Sequence, residues 1–271
     1  MSIRTTSARL LPAAAGLVLL AAGLSGCGGD AEAGSAPLDP QLVKAGRLPV
    51  CTSLPYEPFE FKKKGEFVGF DIDLATEVAK ELKVKPVFID VDFDAIASGE
   101  PLNAGTCDVA AAGLTITGER ARVLDFSSPY FDAAQTMVVP ATSAATSLED
   151  LAGGKIGVQT GTTGELYVRD NAPSTVEVVT INDISEISAA MQRGDIDAGF
   201  YDNTVVGDVL TENPDFAVAA DFNTGEQYGM AVRKDGGTDL LRTINGVLAD
   251  LAESGRYDDL YARWFGGKPT K

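Results

Sequence analysis

The chain has 271 residues, a formal charge of −17 and no histidine. So acidic a surface offers phosphates no basic face, which argues against nucleic acid as a partner. Without histidine, Ser-His-Asp and Cys-His catalysis and histidine-ligated metals are excluded, leaving carboxylates, lysine or tyrosine for any acid–base chemistry.

Arg4 and Arg9 precede the apolar run 17–22, which is followed by Leu24-Ser25-Gly26-Cys27. This is the pattern of a targeting segment, to be read apart from the fold. The run falls short of the roughly 20 apolar residues that span a bilayer. On the residues alone, an ordinary cleaved signal or an uncleaved anchor also fits. The small residues ending at Cys27 resemble the lipobox of bacterial lipoproteins, which implies a lipid on the Cys27 sulfur and removal of residues 1–26. A diacylglyceryl group plus a further acyl chain anchors more firmly than one chain. Residues 27–40, rich in Gly, Ala, Ser and Pro, then read as a flexible tether. Losing 1–26, which hold two arginines and no acid, takes the charge to −19. Charge of this size mainly confers solubility and does not indicate a cationic ligand. Apart from Cys27, only Cys51 and Cys107 remain. Outside the cytoplasm such a pair is more often bridged than free, and a bridge would add about 4 kcal/mol in the chain-entropy model. Two buried thiols in separate strands is the alternative.

From about residue 47 to the end, period-two or continuous apolar runs alternate with 3.6-residue patterns, the grammar of an α/β fold with ample core. Residues 48–52 predict a strand. Over 71–82, Ile72, Ala75, Val78, Ala79 and Leu82 share a helical face, with Asp71 placed as the cap. A strand at 87–91 completes a β-α-β unit. Residues 94–103 predict a short irregular helix, 109–114 a central strand of small apolar residues, and 136–139 a strand ended by Pro140. After the polar stretch 141–147 the grammar restarts: a capped helical turn at 147–151, strand 155–159, helix 162–171, strand 176–180, helix 184–193, strand 197–200 and helix 203–212. Two such sets in tandem predict two lobes. A strand over 228–233 and amphipathic helices over 238–253 and 257–265 close the chain, in a tail that the pattern assigns to neither lobe. No convincing repeat of 20 to 50 residues is present.

The blocks Tyr56-Glu57-Pro58-Phe59-Glu60-Phe61, Gly69-Phe70-Asp71-Ile72-Asp73-Leu74, Gly113-Leu114-Thr115-Ile116-Thr117-Gly118-Glu119-Arg120, Asp125-Phe126-Ser127-Ser128-Pro129-Tyr130, Gly161-Thr162-Thr163-Gly164 and Trp264-Phe265 occur in order between about residues 46 and 266. Together they resemble the family 3 extracellular solute-binding proteins of amino-acid ABC transporters. The resemblance implies a type II periplasmic-binding-protein-like α/β fold of two lobes: 41–131 plus 228–271, and 132–227. It further implies two hinge strands near 130–135 and 224–229, and a ligand held in the interlobe cleft at the strand ends, where α/β proteins generally bind. A membrane permease would receive the ligand. A monomer with no cofactor and no metal is expected.

A zwitterionic amino acid needs groups for its carboxylate, its ammonium and its side chain. Arg120 matches the family arginine for the carboxylate, since a guanidinium offers two parallel donors in a fixed fork; a solvated arginine at a helix start is the plain alternative. Thr115 would add a hydroxyl, and the backbone at Ala112, Gly113 and Thr163 further contacts. Thr162 and Thr163 lie where Gly161 opens into a helix whose free N–H groups attract anions; the stretch lacks the spacing and lysine of a phosphate loop or dinucleotide fingerprint. Asp202 matches the aspartate that receives the ammonium, whose charge offsets the carboxylate's desolvation; capping a helix at Asn203 is the alternative, and both roles are compatible. Tyr56 and Phe93 match the aromatic positions that sandwich the ligand side chain, although two residues inserted between Phe93 and the Ala112 block keep a core role open for Phe93. Ser53 stands where several relatives carry an aspartate, and Gln159 where one subgroup carries a lysine. Lacking that carboxylate, the pocket leans toward a neutral polar amino acid, unless Glu57, Asp94 or Glu165 points inward. Two other functions remain: a dehydratase-type enzyme on the same scaffold, for which no paired acids stand out, and a ligand sensor acting through a membrane receptor.

Overall fold

The computed structural model describes residues 40–267 and 269. The expected signal segment, the lipidated Cys27 and most of the tether lie outside the described residues. Among those described, no helix is long and apolar enough to cross a membrane.

Two five-stranded sheets organise the chain. The first begins with β1 (Arg47–Thr52), followed by the hairpin β2 (Phe61–Lys63) and β3 (Glu66–Val68), helix α1 (Phe70–Glu81) and β4 (Lys85–Asp90). Short helices α2 (Phe93–Ser98) and α3 (Glu100–Asn103) lead to β5 (Val109–Ala110) and β6 (Leu124–Phe126). The chain then leaves this sheet through β7 (Phe131–Pro140) and builds β8 (Lys155–Gln159), α4 (Thr163–Asn171), β9 (Glu177–Ile181), α5 (Ile184–Arg193), β10 (Ala198–Asp202), α6 (Val206–Glu212) and β11 (Phe216–Tyr228). It returns with β12 (Ala231–Arg233) and ends in α7 (Thr238–Glu253) and α8 (Arg256–Phe265).

The first sheet runs β4-β1-β5-β12-β6 and the second β11-β7-β10-β8-β9. β1 is parallel to β4 and β5, as the right-handed crossover through α1 requires. β7 pairs antiparallel with both β10 and β11. The chain therefore passes between the sheets twice, between β6 and β7 and between β11 and β12.

At this crossing an aromatic cluster fills the core. The Phe59 ring lies 4.9 Å from Phe131 and 5.4 Å from Tyr228. Phe265 of α8 packs 4.9 Å from Phe131. Rings at such spacings add to their burial energy through edge-to-face and offset contacts. Trp264 Nε1 and Arg263 both donate to Asp73 on α1, each at 2.8 Å, so the tail that the periodicity left unassigned packs on the first sheet's helix. Cys51 and Cys107 form a disulfide with Cα atoms 5.7 Å apart, joining the end of β1 to the turn before β5.

Several sequence expectations need correction. The helix over 71–82 starts one residue earlier, with Gly69 at the cap position and Asp71 buried inside the first turn. Its carboxylate caps nothing; Oδ2 accepts from Gly113 N at 2.9 Å and from Tyr130 Oη at 2.7 Å. The strand expected over 109–114 stops at Ala110, and residues 111–116 continue as a loop. The strand expected over 228–233 is divided: Tyr228 ends β11, and β12 starts at Ala231. Of β11 only the end was anticipated, as the hinge strand near 224–229 that the resemblance implies; β2, β3 and β6 were not anticipated. Asp202 is no cap either, since α6 begins at Val206 with Val205 at its cap position.

Candidate ligand-binding site

Between the carboxyl ends of the two sheets lies a cavity lined by Tyr56, Phe93, Gly113, Thr115, Gln135, Gln159, Thr162, Thr163, Gly164, Ile184, Phe200, Tyr201 and Asp202. The space open to a water centre is ≈ 20 Å³, room for about one water, so the side chains around it are drawn together. Eight of the eleven residues expected at the site line it directly. Arg120 stands behind Thr115 and Phe93, while Ser53 and Ala112 do not line the cavity. Ala112 is buried instead in the small core under β5.

Residues 111–116 approach from the first sheet. Gly113 adopts φ +54°, and a Cβ added there would lie 2.7 Å from the Tyr56 ring, so glycine allows both the left-handed backbone and the close aromatic. Its N–H is already committed to Asp71, leaving the carbonyl for other contacts. Burial pushes the Asp71 carboxyl up to about 6, against the pull of that N–H and the Tyr130 hydroxyl. Burial also holds Glu60 well above the usual carboxylate range, with the nearby Asp71 charge adding to the effect.

Arg120 begins a 3-10 turn and is buried. Nη1 donates to the Thr115 carbonyl at 2.8 Å and Nη2 to the Gly161 carbonyl at 2.9 Å. The guanidinium carbon sits 5.3 Å from the centre of the Phe93 ring, within cation–π range. No carboxylate among the described residues forms an ion pair with it. Burial pulls its pKa down to about 10, opposed chiefly by the negative charges of Asp202 and Glu226. A buried cation held only by neutral acceptors is electrostatically incomplete, because its desolvation is repaid mainly by an anion.

From the second sheet, Gly161 turns the chain into α4 with φ +79°. Thr162 caps this helix: its hydroxyl accepts from Glu165 N at 3.0 Å and donates to the Gln159 carbonyl at 2.7 Å. The Gln159 amide nitrogen donates to the Asn182 carbonyl at 3.0 Å.

Asp202 ends β10 opposite Arg120. Its Oδ2 accepts from Tyr56 Oη at 3.0 Å and from Tyr228 Oη, and its Oδ1 accepts from Gln135 Nε2 at 2.6 Å. Burial lifts the carboxyl to about 6; the Glu226 charge adds to this and the three hydrogen bonds offset it. The site thus holds a buried cation without an ion-paired carboxylate and a buried acid, an arrangement able to receive the two ends of a zwitterion.

Sequence reasoning missed Gln135, Tyr228 and Glu226. Glu226 accepts from the hydroxyls of Thr115, Thr163 and Thr224 and from Gln135 Nε2, at 2.6 to 3.0 Å. The signal was there: Phe222, Thr224, Glu226 and Tyr228 alternate with more exposed neighbours, so a period-two reading puts Glu226 on the face of buried Tyr228. Of the acids named as possible selectivity groups, none lines the cavity. Glu57 faces Asp208 and Glu212, Asp94 bonds the neighbouring amide of Ala95, and Glu165 holds Gly161 N and Arg169.

Residues 48–267 match the family model described as bacterial extracellular solute-binding proteins, family 3. A probable histidine-binding protein of Neisseria gonorrhoeae is 34% identical, over 95% of this chain and 97% of its own length. An ancestral arginine-binding protein is 42% identical in two solved structures, each covering 82% of this chain and 99% of its own. The TM-score is 0.77 for the arginine-bound form and 0.78 for the glutamine-bound form. The chain belongs to the bacterial extracellular solute-binding proteins, family 3.

Proposed function

We propose that this chain is the substrate-binding lipoprotein of an ABC importer, anchored through Cys27 to the outer face of the bacterial cell membrane, which captures an amino acid and delivers it to a permease. Residues 41–131 with 228–271 form one lobe and 132–227 the other; β7 and β11 are the connections about which they close. The observation that carries the reading is the buried Arg120 guanidinium, without an ion-paired carboxylate, behind the cavity that buried Asp202 lines. Arg120 takes the ligand carboxylate in its fork, helped by the N–H groups at the start of α4. Asp202 takes the ammonium, and Tyr56 and Phe93 enclose the side chain. The reading also draws on the relatives, whose names specify histidine and arginine binding.

The protein acts as a monomer and by binding alone, since two opposed charges with aromatic walls hold a zwitterion without a nucleophile. A thermal-shift screen of the soluble domain against the protein amino acids tests this, because a ligand that binds only the folded form raises its melting temperature. At least one amino acid should do so; a flat screen confirmed by calorimetry sinks the reading. Cys27→Ser should move the protein from the membrane to the soluble fraction, and continued membrane association would refute the lipid anchor.

A further inference from the structure

The roles assigned above leave unused one acid that stands behind the cavity and is bonded to three of its lining side chains. Glu226 lies on β11, and its Oε2 accepts from Thr115 Oγ1 at 3.0 Å and Thr163 Oγ1 at 2.6 Å. Its Oε1 accepts from Gln135 Nε2 at 3.0 Å and Thr224 Oγ1 at 2.7 Å. All four donors are neutral, and no lysine or arginine among the described residues forms an ion pair with it. The carboxylate is thus fixed in place by neutral donors, with no cation bonded to it directly.

Gln135 Nε2 donates at the same time to Asp202 Oδ1 at 2.6 Å. One oxygen of each acid therefore lies no farther from the other than the two bond lengths together, about 5.6 Å. A negative charge this close raises the cost of ionising Asp202 unless a cation sits between them, and the Glu226 charge contributes to the raised Asp202 carboxyl. With one guanidinium and two acids, the site carries a single excess negative charge once both acids ionise. A zwitterion adds none and leaves that excess enclosed. A ligand with a second cation cancels it.

We infer that Glu226 is a specificity-determining residue, whose carboxylate beside Asp202 makes the site select an amino acid of net positive charge over a neutral one. The inference rests on the amino-acid reading given above and names the charge class of its ligand. It runs against the lean toward a neutral side chain drawn from Ser53: neither Ser53 nor Glu226 lines the cavity, but three cavity-lining side chains donate to Glu226.

Arginine and citrulline share a shape and differ by one charge, so calorimetric titration of both against the mature protein and its Glu226→Gln variant isolates the effect. The glutamine oxygen still accepts from Thr115 and Thr163, so the threonine contacts persist while the charge goes. The wild-type protein should prefer arginine, and the variant should lose about tenfold of that preference. An unchanged ratio, or a variant that tightens both ligands equally, overturns the inference. So does a wild-type protein that binds a neutral amino acid in preference to arginine, an outcome that stands even if the variant fails to fold and leaves the amino-acid reading intact. Binding of no amino acid at all is the separate result that sinks that reading instead.

Discussion

Arg120 donates through Nη2 to the carbonyl of Gly161 at 2.9 Å, across 41 residues of sequence. The bond ties the 3-10 turn beside the first sheet to the loop that opens α4 on the second. One guanidinium therefore bridges the two sheets, and under the proposed function its remaining donors serve a ligand carboxylate. The same turn is anchored locally by Thr117, whose hydroxyl accepts from Arg120 N at 3.1 Å.

Arg120→Ala is expected to weaken ligand affinity by at least about 2 kcal/mol, since it would leave a buried ligand carboxylate without its charged partner. Isothermal titration with whichever amino acid stabilises the wild-type domain measures this directly. Unchanged affinity would remove Arg120 from the site.

The acids at the site predict an unusual pH response. The carboxyls of Asp71 and Asp202 are each raised to about 6 in the fold from an ordinary value of 3.8. The folded state therefore binds these protons more tightly than the unfolded one, and ionising them costs stability. As pH falls from above 6 toward 4, the ligand-free domain should gain stability from these two groups. Ligand affinity should fall over the same upper range, because protonated Asp202 no longer attracts an ammonium. Melting curves and titrations between pH 8 and pH 4 check both signs, and Asp202→Asn should flatten its share of each.

Gly113→Ala forces a side chain into the left-handed region and against the Tyr56 ring, which stands 2.7 Å from the new atom. Backbone strain of this kind costs on the order of 1–3 kcal/mol. The expected result is a lower melting temperature together with weaker ligand binding, since Tyr56 also donates to Asp202. A variant that retained both properties would show that the loop and the ring do not depend on this contact.

The Cys51–Cys107 bridge closes a span of 56 residues. Replacing both cysteines with alanine should lower unfolding free energy by up to about 4 kcal/mol. Urea denaturation of the oxidised domain and the double variant measures the difference, and thiol titration of the denatured, unreduced domain lacking Cys27 should find no free thiol.

The sequence by itself determined the alternation of elements, because apolar periodicity reports which face of each strand or helix is buried, whatever that face meets. It also put Arg120, Thr115 and Thr163 forward through ordered motif blocks, Asp202 through its place after a predicted strand, and Cys51 with Cys107 by elimination. Apolar periodicity did not reveal β11, where Gly225, Asn223 and Asp221 read as loop residues; pairing with β7 on both sides of a register shift between Phe222 and Glu226 holds the segment in the sheet despite its composition. Only the tertiary structure decided that Asp71 turns inward to fix Gly113 rather than capping α1, and that Ser53 lies off the cavity. It alone brought Glu226 to within one shared donor of Asp202. Local pattern cannot supply such facts, since Gln135, Asp202 and Glu226 meet only where β7 runs between β10 and β11, and a side chain's charge environment depends on neighbours far away in sequence.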